Sequence, residues 1–154
     1  MSFVVTGLPI DLFEPMFGLD DAALAAHGAL RVVADDDRHP CRVTLDHAPL
    51  GQTLLLVNYQ HQDAPTPYRS NYAIYVSEAA RATRCFEGEL PPVLRGRPIA
   101  LRAFDAAGML VGAELAQDDA VEAAIARRFA DPAAAYLHAH NAVPGCYAAR
   151  IDRA

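Results

Sequence analysis

Two histidines separated by one residue, and a cysteine shortly after them, form the segment of this chain best equipped for chemistry. His138 and His140 stand in an alternating run, and Cys146 follows a short turn-like stretch. These patterns indicate a C-terminal β-hairpin over 135–151. Because successive side chains of a strand point to opposite faces, we expect Tyr136, His138 and His140 to share one face. The hairpin would therefore gather ionisable groups on one side of a sheet.

The length of the hairpin loop determines which side chains of the second strand join that face. A five-residue loop over 141–145 pairs His140 with Cys146 and Tyr136 with Arg150. A four-residue loop would mix polar and apolar side chains on both faces. Because burial of one face fixes the register of a strand pair, we expect the five-residue loop. The opposite face would then carry an almost wholly apolar set: Leu137, Ala139, Tyr147, Ala149 and Ile151.

One chemistry open to this face is metal binding. His138 and His140 would present two imidazoles on one side, and Cys146 would add a soft third ligand. Three protein ligands with one open position are what a catalytic zinc ion requires. The spacing of the three residues matches no established zinc motif, and no acidic residue is near them in the sequence. Zinc is therefore a candidate cofactor, and metal binding is one of several possible functions of this face.

A second chemistry is covalent catalysis by a thiol. Cys146 would be the nucleophile, His140 its base and Asn141 the group that orients the base. The residue types fit this mechanism. In the expected register, however, Asn141 points to the opposite face, and no nucleophile motif surrounds the cysteine.

A third chemistry is the binding of a small polar or anionic metabolite by the side chains of Tyr136, His138, His140 and Arg150. A polar, proline-bearing loop over 59–72 is long enough to serve as a lid over this face. Its candidate ligand-binding residues are Tyr59, His61 and Arg69. We take this as the working hypothesis. The alternative from another class is a non-catalytic interaction module whose polar sheet face is merely solvated.

The rest of the chain predicts an α+β fold with a mainly antiparallel sheet. Short strands recur between turn residues, and Asp105-Ala-Ala-Gly108 is a strong hairpin signal. A capping-box pattern from Asp119 to Glu122 opens one longer helix near 118–130, and the other helices are short. Further strands are expected at 30–34, 42–45, 53–58 and 72–76. We expect all 154 residues to form one domain, 1–154.

Composition excludes several function classes. The chain has no lysine, which removes Schiff-base mechanisms, and its formal charge of −6 opposes nonspecific binding to nucleic acid. No apolar segment approaches the length of a membrane span, and the start at Met1 lacks the basic region of a signal peptide. Three widely spaced cysteines argue against a disulfide framework. We therefore expect a cytoplasmic protein that binds neither nucleic acid nor membrane.

Several of these segments together resemble a bacterial family catalogued as domain of unknown function 1203. The most specific is Tyr136-Leu-His138-Ala-His140-Asn-Ala, continued by Gly145-Cys-Tyr-Ala-Ala-Arg150. Weaker ones are Glu89-Leu-Pro, Arg102-Ala-Phe-Asp105-Ala-Ala-Gly-Met109, Pro40-Cys-Arg-Val and Pro67-Tyr-Arg69. The resemblance implies a bacterial domain with its distinctive residues near the C-terminus. It implies no activity, substrate or cofactor.

Overall fold

The computed structural model describes residues 2–154 and shows an α+β fold built on two antiparallel sheets. The strands are β1 (Phe3–Thr6), β2 (Ala29–Val33), β3 (Thr53–Gln62), β4 (Ser70–Ser77), β5 (Cys85–Glu87), β6 (Pro98–Phe104), β7 (Leu110–Gln117), β8 (Tyr136–Asn141) and β9 (Tyr147–Arg153). Six of them form a large sheet in the order β5-β1-β9-β8-β6-β7, and β2-β3-β4 form a small one. The predicted fold class is confirmed.

Two α-helices and three 3-10 turns complete the fold. Helix α1 spans Asp21–Ala26 and begins at Asp20, whose carboxylate accepts a hydrogen bond from the Ala23 amide at 2.8 Å. Helix α2 spans Ala120–Ala130, as the sequence predicts, but Asp119 makes no side-chain cap. The 3-10 turns cover Ile10–Leu12, Glu14–Met16 and Pro92–Leu94. Within residues 2–154, no helix is long and apolar enough to cross a membrane.

The large sheet lies between α2 and the small sheet. Apolar side chains on one of its faces, including Leu101, Leu137 and Ile151, form a core with Ile125 and Phe129 of α2. A second core lies on the other side, where the small sheet contributes its apolar face and β9 contributes a tyrosine. Its strand residues are Ala29, Leu55, Val57, Ile74, Val76 and Tyr147. The face of β8 that carries the histidines is therefore turned inward, towards the small sheet.

Two predictions of secondary structure are wrong. Residues 42–45 form a turn and a bend, and the residues that flank them make only isolated bridges, Pro40 to His47 and Cys41 to Tyr75. The expected 59–72 loop is shorter, since β3 continues to Gln62 and β4 begins at Ser70. Residues 59–62 and 70–72 are therefore strand residues of a hairpin, and only 63–69 connect the two strands.

The register of the C-terminal hairpin also differs from the expected one. Asn141 donates its amide to the Cys146 carbonyl at 2.9 Å, which leaves the four-residue loop 142–145. His140 then pairs with Tyr147, whereas Ala139 pairs with Ala149. Ala148 is thus the extra residue of a β-bulge, and the bulge restores the separation of polar and apolar faces. A four-residue loop mixes the two faces only if the ladder is unbroken, and the bulge interrupts the ladder here.

Candidate metal centre

Three histidine rings from two sheets converge between the sheets. His138 and His140 come from β8, and His61 comes from β3 of the small sheet. One nitrogen from each ring lies within 4.8 Å of one nitrogen from each of the others. His138 and His140 are 3% and 1% exposed, and His61 is half-buried. We call His61, His138 and His140 the histidine cluster.

The rings of the cluster are packed by aromatic contacts. The centroid of the His61 ring lies 5.1 Å from that of His140 and 6.2 Å from that of His138. Tyr147 stacks on the His61 ring at 5.3 Å with an interplanar angle of 12°. The centroid of the Phe104 ring lies 5.1 Å from that of the His138 ring. These contacts limit rotation of the imidazoles and keep their nitrogens close together.

The hydrogen bonds of the cluster leave nitrogens free to bind a metal. The Nδ1 atom of His140 lies 3.0 Å from the Gly145 carbonyl oxygen, so this nitrogen carries the proton and donates it. The lone pair of His140 is then on Nε2, which is buried without a hydrogen-bond partner among the described residues. The Nδ1 atoms of His61 and His138 are also buried and unpartnered there. Metal-binding histidines commonly show this arrangement, in which the second nitrogen donates to a carbonyl.

Burial keeps all three imidazoles neutral. It lowers the pKa of His138 to about 3 and those of His61 and His140 to about 4. The positive charge of Arg102 on β6 and the neighbouring imidazoles add smaller effects in the same direction. Only neutral imidazole binds a metal ion, so the cluster is in the binding form at neutral pH.

A pocket of about 430 Å³ opens over His61 and His138. Tyr59, Tyr147 and Arg150 line it together with Asp152. The pocket gives a small molecule access to the histidine cluster from one side. Burial also raises the pKa of Tyr59, so its hydroxyl is a neutral hydrogen-bonding group there.

Arg150 and Tyr136 flank the cluster and hold each other in place. Arg150 pairs with His138 across the β8–β9 ladder, and its guanidinium lies 4.0 Å from the centroid of the Tyr136 ring. Asp152 accepts hydrogen bonds from Arg150 at 2.9 Å. The Tyr136 hydroxyl accepts a hydrogen bond from Gln62 at 2.9 Å. The predicted grouping of Tyr136, His138, His140 and Arg150 on one face is confirmed in geometry.

Cys146 does not belong to this grouping, contrary to the expected register. Its thiol accepts a hydrogen bond from the Asn141 side chain at 3.3 Å and lines a different cleft. Within residues 2–154, no hydrogen bond joins Cys146 to His140, because the Nδ1 atom of that histidine is directed at the Gly145 carbonyl. His61 takes the place that the sequence assigned to the cysteine. The geometry therefore supports neither the His/Cys zinc site nor the cysteine–histidine pair.

The three residues predicted to line a lid do not lie together in the structure. Tyr59 and His61 lie on β3 at the pocket, whereas Arg69 is exposed in the connection to β4 and lines none of the described pockets. Sequence reasoning missed Arg102 and Tyr147 as neighbours of the histidines. Arg102 stands between Leu101 and Ala103 in a predicted strand, so its alternation was a usable signal. No pattern in the sequence indicated that Tyr147 faces the histidines, because the bulge at Ala148 determines the face to which its side chain points.

The donor set fits a divalent transition metal. Tetrahedral Zn²⁺ with Zn–N bonds of about 2.0–2.1 Å holds its ligand nitrogens about 3.3 Å apart, so nitrogens now within 4.8 Å of one another would have to move closer on binding. Three neutral imidazoles leave a fourth position for water or a ligand, as in catalytic zinc sites. A metal there would act as a Lewis acid or activate a bound water.

Comparison with known proteins identifies the family of the chain but indicates no activity. No curated protein and no solved structure matches the chain. A family model matches residues 38–153, which include the whole histidine cluster, Arg102, Tyr147 and Arg150. The resemblance seen in the sequence is thereby confirmed over this range. The chain belongs to the family described as protein of unknown function (DUF1203).

Proposed function

We propose that this protein binds a divalent transition metal through His61, His138 and His140. The open coordination position would receive a small polar or anionic molecule from the adjoining pocket. The observation that carries the proposal is the set of three buried ring nitrogens without partners, one on each histidine. They belong to rings whose nitrogens come within 4.8 Å of one another.

The energetics of the cluster favour a metal over a purely structural role. A buried polar atom without a partner costs about 1–3 kcal/mol, and the cluster holds three of them. Structural histidines in a core normally satisfy both nitrogens with carbonyls or hydroxyls. Here only His140 has a ring nitrogen bonded to a carbonyl, which leaves the lone pair of its Nε2 atom for another partner. A metal ion held by one nitrogen of each ring would supply the partner that these histidines lack.

The surroundings of the cluster support a polar or anionic ligand. Arg102 and Arg150 place positive charge close to the imidazoles and help to keep them neutral. A metal ion would add to that positive potential at the base of the pocket. Small anions and polar molecules with an oxygen donor are therefore the ligands that this site favours.

The alternative of a non-catalytic module with a solvated sheet face has little support. A solvated face requires exposed imidazoles, whereas His138 and His140 are almost completely buried. The pocket reaches the cluster from one side only, which suits a small molecule better than a protein surface. We place this activity in the cytoplasm, because all three cysteines are free thiols.

Zinc titration of the chelator-treated protein by calorimetry tests the proposal. We expect one Zn²⁺ per chain, with binding lost in His138→Ala and in His61→Ala. His27→Ala is the matched control, since His27 is exposed and lies outside the cluster. Equal zinc affinity in His61→Ala and the parent protein would overturn the assignment of this ligand.

Cobalt substitution distinguishes this site from one that includes the cysteine. Three imidazoles and one oxygen ligand give Co²⁺ weak visible bands without the intense near-ultraviolet absorption of a thiolate ligand. Cys146→Ala should leave the spectrum and the affinity unchanged. A thiolate band in the parent protein that disappears in Cys146→Ala would contradict the three-histidine donor set.

A further inference from the structure

A second and larger cleft lies at the turn between β8 and β9. Its volume is about 830 Å³, and it is formed by segment 37–42, segment 95–98 and the turn residues 141–146. None of the three cluster histidines lines it. The cleft is thus separate from the pocket that opens over His61 and His138.

Positive side chains dominate this cleft, although the whole chain is acidic. Its lining includes four arginines, one histidine and a single acidic residue, namely Arg38, Arg42, Arg95, Arg97, His47 and Asp37. The formal charge of the chain is −6, so the sign of this cleft is opposite to the net charge of the chain. A local excess of arginine in such a chain creates a focused positive potential.

Arg42 is the most unusual member of this set because its charge is buried. The side chain is 2% exposed, and its guanidinium donates to the carbonyls of Tyr147 and Pro40, each at 2.7 Å. None of the ion pairs formed within residues 2–154 includes Arg42. The two carbonyls orient the guanidinium and the Cys146 side chain lies beside it, but no carboxylate of the described residues pairs with it. A buried cation without an anion is costly unless a partner completes it.

Arg97 presents a second cation with unused hydrogen-bonding capacity. Its Nε atom is buried and has no partner in the described part of the chain. Its Nη2 atom lies 3.4 Å from the Nε2 atom of His47, a weak contact with a neutral imidazole. Burial and the charge of Arg97 lower the pKa of His47, so Arg97 is the cation of this pair.

We propose that this cleft binds a small molecule through a phosphate or carboxylate group held by Arg42 and Arg97. Arginine guanidinium groups recognise both kinds of oxyanion through paired hydrogen bonds. The volume exceeds that of a bare ion and falls in the range of pockets for organic ligands, about 300–1,000 Å³. The ligand is therefore an organic anion whose uncharged part lies along Tyr75, Pro98 and Pro144. This site does not depend on the proposed metal centre.

Calorimetric titration with inorganic phosphate, pyrophosphate and citrate, at constant ionic strength, tests this site. Binding of phosphate or pyrophosphate alone identifies a phosphate site, and binding of citrate alone identifies a carboxylate site. We expect Arg97→Gln to weaken binding about tenfold or more, as loss of a charged hydrogen bond does. Arg84→Gln is the matched control, because it removes the same charge from an exposed position outside the cleft.

Further variants keep the proposal falsifiable and independent of folding. Arg42→Gln should weaken binding as well, and because it removes a buried group, circular dichroism of the variant is measured beside the titration to show that it is folded. Asp37→Asn removes the one acidic side chain of the lining and should tighten binding. Equal weakening by Arg97→Gln and Arg84→Gln, or no binding of any probe at millimolar concentration, would overturn the proposal. Zinc binding at the histidine cluster should be unchanged in Arg97→Gln.

Discussion

The rings of His61 and His140 belong to different sheets, yet their centroids lie 5.1 Å apart. This contact exists because β3 presents Leu55, Val57, Tyr59 and His61 to the large sheet through its alternation. The apolar members of that series form the core between the sheets. His61 continues the same face at the point where the core gives way to the pocket. The packing that stabilises the fold thus also brings the third imidazole to the other two.

We expect the metal-free protein to lose stability as the pH falls from about 6.5 towards about 4. The cluster histidines have folded-state pKa values of about 3 to 4, below the unfolded value of 6.5. In this window the unfolded chain binds more protons, so acid favours unfolding. Each such histidine contributes up to about 1.4 kcal/mol per pH unit.

Urea unfolding in the presence of a chelator, followed across this pH window, measures the effect. His138→Phe should give a shallower dependence of the free energy of unfolding on pH. His27→Phe should leave the dependence unchanged, since His27 is exposed. Parallel curves for His138→Phe and the parent protein would show that His138 is not held neutral by the fold.

Replacement of Arg42 by methionine should destabilise the protein strongly. The substitution leaves the buried carbonyls of Tyr147 and Pro40 without their donor. We expect a loss of about 2–5 kcal/mol in the free energy of unfolding. Arg38→Met is the control, because the Arg38 side chain is 80% exposed and surface ion pairs such as the one it makes with Asp36 contribute little to stability. Similar unfolding midpoints for the two variants would contradict a structural role for Arg42.

Alanine at Gly7 should be poorly tolerated, in contrast to alanine at Gly112. A Cβ atom at Gly7 would approach the Val43 carbonyl oxygen to 2.1 Å, and that backbone cannot move independently. A Cβ atom at Gly112 would meet only the end of the flexible Arg128 side chain at 2.8 Å. We expect a loss of about 1–3 kcal/mol for Gly7→Ala and a smaller change for Gly112→Ala. Thermal unfolding of both variants decides the point, and an equal effect would refute the packing argument.

Alkylation of the three cysteines should follow their exposure. Cys85 is exposed, Cys146 is partly buried and Cys41 is buried. We therefore expect iodoacetamide to label Cys85 first and Cys41 last, as peptide mass spectrometry of a time course would show. Preferential labelling of Cys146 at neutral pH would instead indicate an activated thiol and reopen the nucleophile hypothesis.

Local patterns in the sequence were sufficient to predict much of the secondary structure. Alternation and turn residues predicted the β6–β7 hairpin around Asp105 and Gly108, and helical periodicity predicted α2. The predicted strand at 42–45 is wrong. These residues are buried in a turn whose preceding residue bridges to β4, and they form no ladder of hydrogen bonds with a neighbouring strand. Burial alone produces the same apolar pattern in both cases.

For the candidate site, too, some features follow from the sequence and others follow only from the tertiary structure. The sequence by itself determined that Tyr136, His138 and His140 share one face of β8, because strand alternation is a property of the local backbone. Only the tertiary structure decided that His61 completes the cluster and that Cys146 lies elsewhere. The first depends on the packing of one sheet on another, and the second depends on a single bulged residue, Ala148. The local periodicity of apolar residues shows neither the packing of distant segments nor a one-residue shift in strand register.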